Sequence, residues 1–458
     1  MIEEKVSIFG KMLNIFKDNI KNIKDERRQR SDLKYSYADI ILGAFSMLYF
    51  QNPSWLSYQK KMQGINGQSN ATTIFGIKVP SENHSKKLLD KLSPKVFKKV
   101  YDDILLECER LNIISQFIFM KKYLLVAVDG VQYHSSQKIK CKCCQTKKDR
   151  KTGIITYSHV AITPTIVHPK LKKVIALFQE FITNEDGADK QDCEVNATKR
   201  WLDTFDILKF LKKKYKIIIL GDDLYSRYPM IQKILDKGHS FILVCKATSH
   251  KALYKTVEEY KQTKSVKQFT TTRIHNGKKQ ILTYNWINEI LLNGNTKDNI
   301  EVNWCELRIV NSDGKQLHCF SFVTDLKITK NSIEEIIEAG RTRWKIENEN
   351  NNTLKTKGYD LAHNYGHGDE YLSQNICSLN ILAFLFHTVQ EFEDKNYIEV
   401  RAIVGTRREF FQTLNMLTTM FAMRNFDKML EFIIIQRTDG MKVDDVGDYI
   451  VGRCFLEL

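Results

Sequence analysis

Carboxylates stand at three places where the chain's pattern would concentrate chemistry. Asp129 follows the run Tyr123-Leu124-Leu125-Val126-Ala127-Val128, Asp222 and Asp223 follow Ile217-Ile218-Ile219-Leu220-Gly221, and Glu347 lies in Arg343-Trp344-Lys345-Ile346-Glu347. Short runs without polar alternation read as strands buried on both faces, and α/β sheets present ligand-binding groups at strand C-termini. Acids brought together raise one another's pKa unless cations join them. Mg²⁺ resolves that conflict with a few carboxylates, water and phosphate oxygens, and two such ions can activate a nucleophile and stabilise a leaving oxygen in phosphodiester transfer. Each aspartate alone is an ordinary turn residue. The order strand-Asp, strand-Asp, helix-Glu carries the reading. Strand parity does not separate Asp222 from Asp223, because both faces of that strand look buried.

The segment around Glu347 reads as one amphipathic helix. At about 100° per residue, Ile333, Ile336, Ile337, Gly340, Trp344, Glu347, Asn351 and Leu354 share a face, and Glu349 points about 160° away from Glu347. A buried Glu347 needs a cation, which Arg343 one turn earlier or a metal ion would supply. Trp344 is expected in the core, and Trp344 or Tyr359 could stack on unpaired bases.

Cysteine and histidine form a second grouping. Cys141 and Cys144, in Cys141-Lys142-Cys143-Cys144, have zinc-knuckle spacing, with His134 and His159 on either side. No second Cys-x-x-Cys exists, so free thiols in a surface loop are set against zinc at Cys141/Cys144. Glu180, Asp186, Asp192 and Glu194 read as a loop and a helix N-terminus, where acids suit the macrodipole, with a metal role as the alternative. His363 and His367 read as surface-loop residues, with Gly366 and Gly368 marking a turn close to another backbone or to DNA.

The elements that must position these groups follow in order. Residues 1–115 read as a lysine-rich helical module, DNA-binding or scaffold: Ser7 to Ile20, a charged connector from Ile23 to Asp32, Tyr37 to Tyr49, a break at Asn52-Pro53 with Ser54 as N-cap, Ser85 to Lys91, and Pro94 to Leu111. Residues 116–250 read as the first part of a mixed α/β sheet: after Tyr123–Val128 come strands Tyr157 to Val167 and Lys173 to Ile182, and a helix from Lys190 to Lys213. The strand Ile217–Leu220, a helix Pro229 to Lys237 and a strand Ser240 to Cys245 complete it. Residues 251–328 read as a β-rich insertion of antiparallel strands turning at Asn276-Gly277 and Asp313-Gly314. Residues 329–395 complete the core with the Glu347 helix, and 396–458 are helical.

At 458 residues, two or three domains are expected. The net charge of +16 suggests a polyanionic partner, most simply nucleic acid, although lysine enrichment from an AT-rich genome would give the same excess. No basic region followed by an apolar one opens the chain, and the apolar stretch Ile40 to Phe50 is too short to span a bilayer. A cytoplasmic protein without membrane association is expected, and its ten cysteines are free thiols or metal ligands rather than a disulfide framework.

These motifs resemble the bacterial insertion-sequence DDE transposases, in the branch whose last acid lies in a Tyr-Arg-Glu-Lys helix after a β-rich insertion. Arg343-Trp344-Lys345-Ile346-Glu347 matches the Arg-Trp-basic-Ile-Glu core of that helix. Gly221-Asp222-Asp223-Leu224-Tyr225 resembles the second-acid segment, where an aromatic follows the Asp by three, and Val128-Asp129-Gly130 resembles the first. The phrases Asp186-Gly187, Gln191-Asp192-Cys193-Glu194, Lys199-Arg200-Trp201 and Gly358-Tyr359 to Gly366-His367-Gly368 extend the likeness over residues 120–390. The resemblance implies a ribonuclease-H-like mixed sheet flanked by helical regions, with Asp129, Asp222 and Glu347 as catalytic metal ligands for Mg²⁺, or Mn²⁺ in its place. It implies Arg343, Lys355 and Tyr359 as DNA contacts, transposon ends and target DNA as partners, and a homodimer in the DNA complex. Asp222 is preferred over Asp223 for its spacing to Tyr225. Gly340 stands at the signature tyrosine, and Leu354 at the expected lysine, with Lys355 one place and about 100° further on. A metal-dependent nuclease and a catalytically decayed or zinc-dependent DNA-binding protein are the alternatives.

Overall fold

The computed structural model describes residues 6–25, 34–183, 192–206, 211, 214–294, 297–438 and 443–451. Asp186, Lys190, Gln191 and most of the expected connector before Asp32 lie outside them.

Helices open the chain: α1 (Ile8–Ile20), α2 (Tyr37–Tyr49), α3 (Trp55–Gln63), α4 (Ile65–Asn70), α5 (Glu82–Lys91) and α6 (Lys98–Arg110). Local chemistry sets several of their starts. Ser7 and Ser54 each accept a backbone N–H three residues on, and Ser36 with Asp39 forms a reciprocal capping box ahead of α2. The sequence reading placed the start of α3 through its Ser54 cap but did not include α4.

Fourteen strands follow among the described residues: β1 (Ile118–Phe119), β2 (Tyr123–Ala127), β3 (Gly130–Ser136), β4 (Gln145–Lys148), β5 (Ile155–Ile162), β6 (Thr165–Val167), β7 (Ile175–Ala176), β8 (Glu180–Ile182), β9 (Lys216–Gly221), β10 (Ser240–Val244), β11 (Lys267–His275), β12 (Lys278–Leu291), β13 (Glu301–Asn311) and β14 (Gln316–Thr324). Helices α7 (Glu194–Thr204), α8 (Tyr228–Asp236) and α9 (Lys251–Gln262) lie between them, and α10 (Ile333–Thr342), a π-turn (Ile346–Asn351) and α11 (Asn352–Thr356) come next. The chain continues through α12 (Leu372–Glu393), α13 (Lys395–Val404), α14 (Arg407–Met420) and α15 (Phe426–Thr438).

The protein is α/β with mixed sheets. The large sheet runs β11-β12-β13-β14-β10-β9-β2-β6-β7, with β1 also paired to β2. Within it β2, β9 and β10 are parallel, and the remaining pairs are antiparallel. The β-rich block is therefore not a separate sheet. Its last strand pairs with β10, Ile242 opposite Thr324, so the meander widens the same sheet. Asn276 and Gly277, at φ 50° and 73°, make the left-handed hairpin turn that their types suggest.

Two strands expected to be continuous are broken. Tyr157–Val167 divides at Thr163-Pro164 into β5 and β6, and Lys173–Ile182 divides into β7 and β8. At the first break the chain passes from a small sheet of β3, β5, β4 and β8 into the large one, and at the second it passes back. Proline at the crossing lacks the N–H that a continuous ladder would need. The chain makes the same passage from β2 to β3, and Asp129 sits at that break.

Helix α12 is the one described helix long and apolar enough to cross a membrane, and its apolar window is wholly buried in the protein. Helices α1, α2 and α5 pack on it from the N-terminal side and α13 from the C-terminal side. Tyr101 donates to the Ser378 carbonyl at 2.6 Å, and Asn375 Nδ2 donates to the carbonyls of Leu89 and Leu92 at 2.6 and 2.7 Å. One continuous cluster of buried side chains joins both helical regions to the large sheet.

Candidate active site

The register of two parallel strands places the first two acids. Ala127 on β2 pairs with Leu220 on β9, and the Val128 N–H donates to the Leu220 carbonyl at 2.9 Å. Asp129 and Asp222 each lie two residues beyond that pair. They therefore leave adjacent strands at the same level and with the same parity, about 4.8 Å apart in the sheet direction. Asp223 has the opposite parity and another task. It accepts hydrogen bonds from the Lys246 N–H at 2.7 Å and from the Ser249 hydroxyl, with His250 Nε2 at 3.7 Å. It holds the turn before α9 and not the cleft. Pairing register separates these two aspartates, where the burial pattern of one strand did not.

Glu347 approaches from the π-turn, and the structure corrects the path by which it gets there. A straight α-helix from Ile333 would have buried Trp344 and Glu347. The α-helix ends at Thr342, and the π-turn changes the phase: Ile346, Asn350, Asn351, Thr353 and Leu354 are buried, whereas Trp344 is 43% exposed and the Glu347 side chain 50% exposed. A wider turn carries one residue more than an α-turn. That extra residue offsets the one-place shift of the lysine. Leu354 is core, and Lys355 is close enough to Asp129 to feel its charge. The π-turn is anchored to the β2–β3 break. The Thr163 N–H donates to the Asp129 carbonyl at 3.0 Å, while Thr163 Oγ1 donates to Asn351 Oδ1 at 2.8 Å.

The charges of these groups meet. Burial raises the Asp129 carboxyl to about 7; the Arg343 guanidinium opposes the rise, and Glu347, Glu194 and Asp222 add to it. Arg343 Nη1 reaches Glu347 Oε1 at 2.6 Å, the pairing that i,i+4 spacing suggests. Burial lowers the Lys355 ammonium, against the pull of Asp129. Glu194, read from sequence as a helix N-terminal acid, does open α7, but it is also close enough to Asp129 and Asp222 to feel their charge. Burial and then Asp222 raise its carboxyl, and a Cβ on Gly130 would lie 2.5 Å from its Oε1. A glycine directly after Asp129, with an acid two residues into the later Asp192-Cys193-Glu194 phrase, was the available signal. Glu180 and Asp192 are instead held by Arg200, at 3.2 Å and 2.6 Å.

Two further expectations change. Tyr359 is fully buried, its hydroxyl 2.8 Å from His387 Nδ1 and its ring edge-on to Phe384 and Phe411, so no base can stack on it. Trp344 is the exposed aromatic beside Glu347, with Lys345 Nζ 5.5 Å from its ring centroid. Gly340, at the signature tyrosine's place, lets α10 lie directly on β14: a Cβ there would be 2.7 Å from Phe322 Cε1.

Among the described residues, the one set of three or more His, Cys, Asp or Glu whose ligand atoms all lie within 4.8 Å of one another is Cys141, Cys144, His159 and His367. Asp129, Asp222 and Glu347 do not form such a set. His367 is buried rather than a surface-loop residue, while His363 is exposed. No protein-family model and no curated protein matches the chain.

Proposed function

We propose that the chain is a DDE-type DNA transposase with a ribonuclease-H-like core, cutting transposon ends and joining the freed 3′-OH to target DNA. The observation that carries the reading is the convergence of Asp129 and Asp222, level on adjacent parallel strands, with Glu347 and its Arg343 partner on one charge-coupled cleft. The donor set is made of carboxylate oxygens, which suit Mg²⁺ or Mn²⁺. The raised Asp129 carboxyl is a group whose ionised form a dication would favour. Asp129, Asp222 and Glu347 would hold the ions, which when bound supply Lewis-acid charge to the reacting phosphate.

The chain's own residues divide the remaining work. Asp129 and Asp222 are fixed by the sheet, so their spacing is set before DNA arrives. Glu347 is half exposed and paired with Arg343, so its carboxylate would be free to serve as a ligand and Arg343 to contact a phosphate oxygen. Lys355 adds positive charge on the Asp129 side, and Trp344 offers a face on which a base unpaired near the cut can stack. The net charge of +16 favours the DNA backbone. Joining two ends calls for at least a dimer on DNA.

The test uses duplexes carrying the inverted repeats that flank the reading frame. The wild type with Mg²⁺ should cut them and join pre-cut ends to a target plasmid. Glu347→Gln should lose both reactions and keep end binding. Cutting without joining would reduce the protein to a nuclease, and cutting that survives Glu347→Gln would remove Glu347 from the site.

A further inference from the structure

The Cys/His cluster is separate from the carboxylate set, and three segments of the chain build it. Cys141 and Cys144 come from the β3–β4 connection, His159 from the middle of β5, and His367 from the turn ahead of α12. Cys141 Sγ lies 3.8 Å from Cys144 Sγ and 3.3 Å from His159 Nε2. Cys144 Sγ lies 3.5 Å from His159 Nε2 and 3.3 Å from His367 Nε2. With Zn–S near 2.3 Å and Zn–N near 2.0–2.1 Å, a tetrahedral ion requires edges of about 3.8 Å between sulfurs and about 3.5 Å between sulfur and nitrogen. These four edges follow that pattern, all four donor atoms lie within 4.8 Å of one another, and the sulfurs are far too distant for a disulfide.

The surroundings hold the donors in place. Cys144, His159 and His367 are buried, and Tyr133 stacks on the His159 ring at 5.5 Å. The His367 turn is built for its position. Gly368 has φ 69°, and a Cβ there would fall 2.1 Å from Asp90 Oδ1. Asp90 accepts the N–H groups of Asp369, Glu370 and Leu372, each at 3.0 Å, and the Lys142 N–H donates to the Asp369 carbonyl at 3.1 Å. The glycines thus bring the turn against a carboxylate, so that His367 points inward to the two cysteines.

We propose that Cys141, Cys144, His159 and His367 bind one zinc ion in a closed tetrahedral site that pins the β3–β4 connection to the turn before α12. Four protein donors leave no open position, which marks a structural ion, and two sulfurs with two imidazoles in this geometry select zinc. Two thiolates neutralise the dication within a buried setting. The pin also bears on the cleft: β3 starts one residue after Asp129, and β5 ends one residue before Thr163, which hydrogen-bonds both the Asp129 backbone and Asn351.

Elemental analysis of protein purified without chelator or metal-affinity tag tests the site without DNA, so its outcome is independent of the transposase reading. One zinc per chain is expected in the wild type and in Cys143→Ser, and almost none in a Cys144→Ser/His367→Ala double variant. Because that variant may not fold, the wild type is also exchanged into Co²⁺. Tetrahedral ligand-field bands with thiolate charge-transfer absorption should appear, and added Zn²⁺ should abolish them. Folded wild type that contains no zinc and develops no such bands would overturn the proposal, as would a double variant that keeps its zinc.

Discussion

At the level of single residues, Asp129 makes the cleft sensitive to pH in a definite direction. Its carboxyl is raised to about 7 in the fold, against about 3.9 in an unfolded chain. Between those values the native state holds the extra proton, so stability without Mg²⁺ should fall as pH rises from about 4 to about 7 and then level off. Asp129→Asn should stabilise the Mg²⁺-free protein at pH 8, by on the order of 2 kcal/mol after solvent screening, and change little at pH 4. Thermal unfolding at the two pH values, with and without Mg²⁺, measures this, and saturating Mg²⁺ should stabilise the wild type more than the variant. Arg343 opposes the rise. Arg343→Gln should therefore push the Asp129 carboxyl higher and move the acid limb of the pH–cleavage profile toward alkaline pH. A profile that stays in place would show that Arg343 does not act on Asp129.

At the level of elements, the π-turn decides how far the signature can be read by position. Leu354 occupies the expected lysine's place in the sequence, but its side chain is fully buried and Lys355 faces the acids. Leu354→Lys, which would restore the signature on paper, should destabilise the protein by about 3 kcal/mol or more through burial of an unpaired ammonium, measured by urea unfolding. Lys355→Ala should leave stability nearly unchanged and weaken cleavage about tenfold. Much of this level was legible beforehand. The cap at Ser54, the bounds of α2 and the Asn276-Gly277 hairpin all follow from local chemistry that acts over three or four residues. The π-turn was not legible, because a fixed 100° step assumes one helix type and the altered phase serves contacts with Thr163, far away in sequence. The end of the first strand at Asp129 was read, but its continuation into a second sheet was hidden, since an apolar run looks the same whether it stays in one sheet or leaves it; the break at Thr163-Pro164 was missed although its proline argues against a continuous strand.

At the level of the whole molecule, the N-terminal and C-terminal helices meet around α12, and the same long-range closure forms the Cys/His site. The Cys-x-x-Cys spacing was visible in the sequence, but His367 lies 223 residues beyond Cys144, and only the fold brings them to 3.3 Å. The helical residues 1–115 bury their apolar faces largely through this closure. Tyr49 donates to Gln390 Oε1 at 2.6 Å, Phe9 and Phe45 pack against Phe386, and Tyr101 and the Leu89 and Leu92 carbonyls are satisfied by α12. Without α12 these residues would expose a broad aromatic surface and unpaired polar groups, at about 1.5–3 kcal/mol for each large apolar side chain returned to water. A fragment of residues 1–115 should therefore show no cooperative thermal transition by circular dichroism, and adding residues 371–438 in trans should restore one. A fragment that melts cooperatively alone would mean that the N-terminal helices form a core without α12.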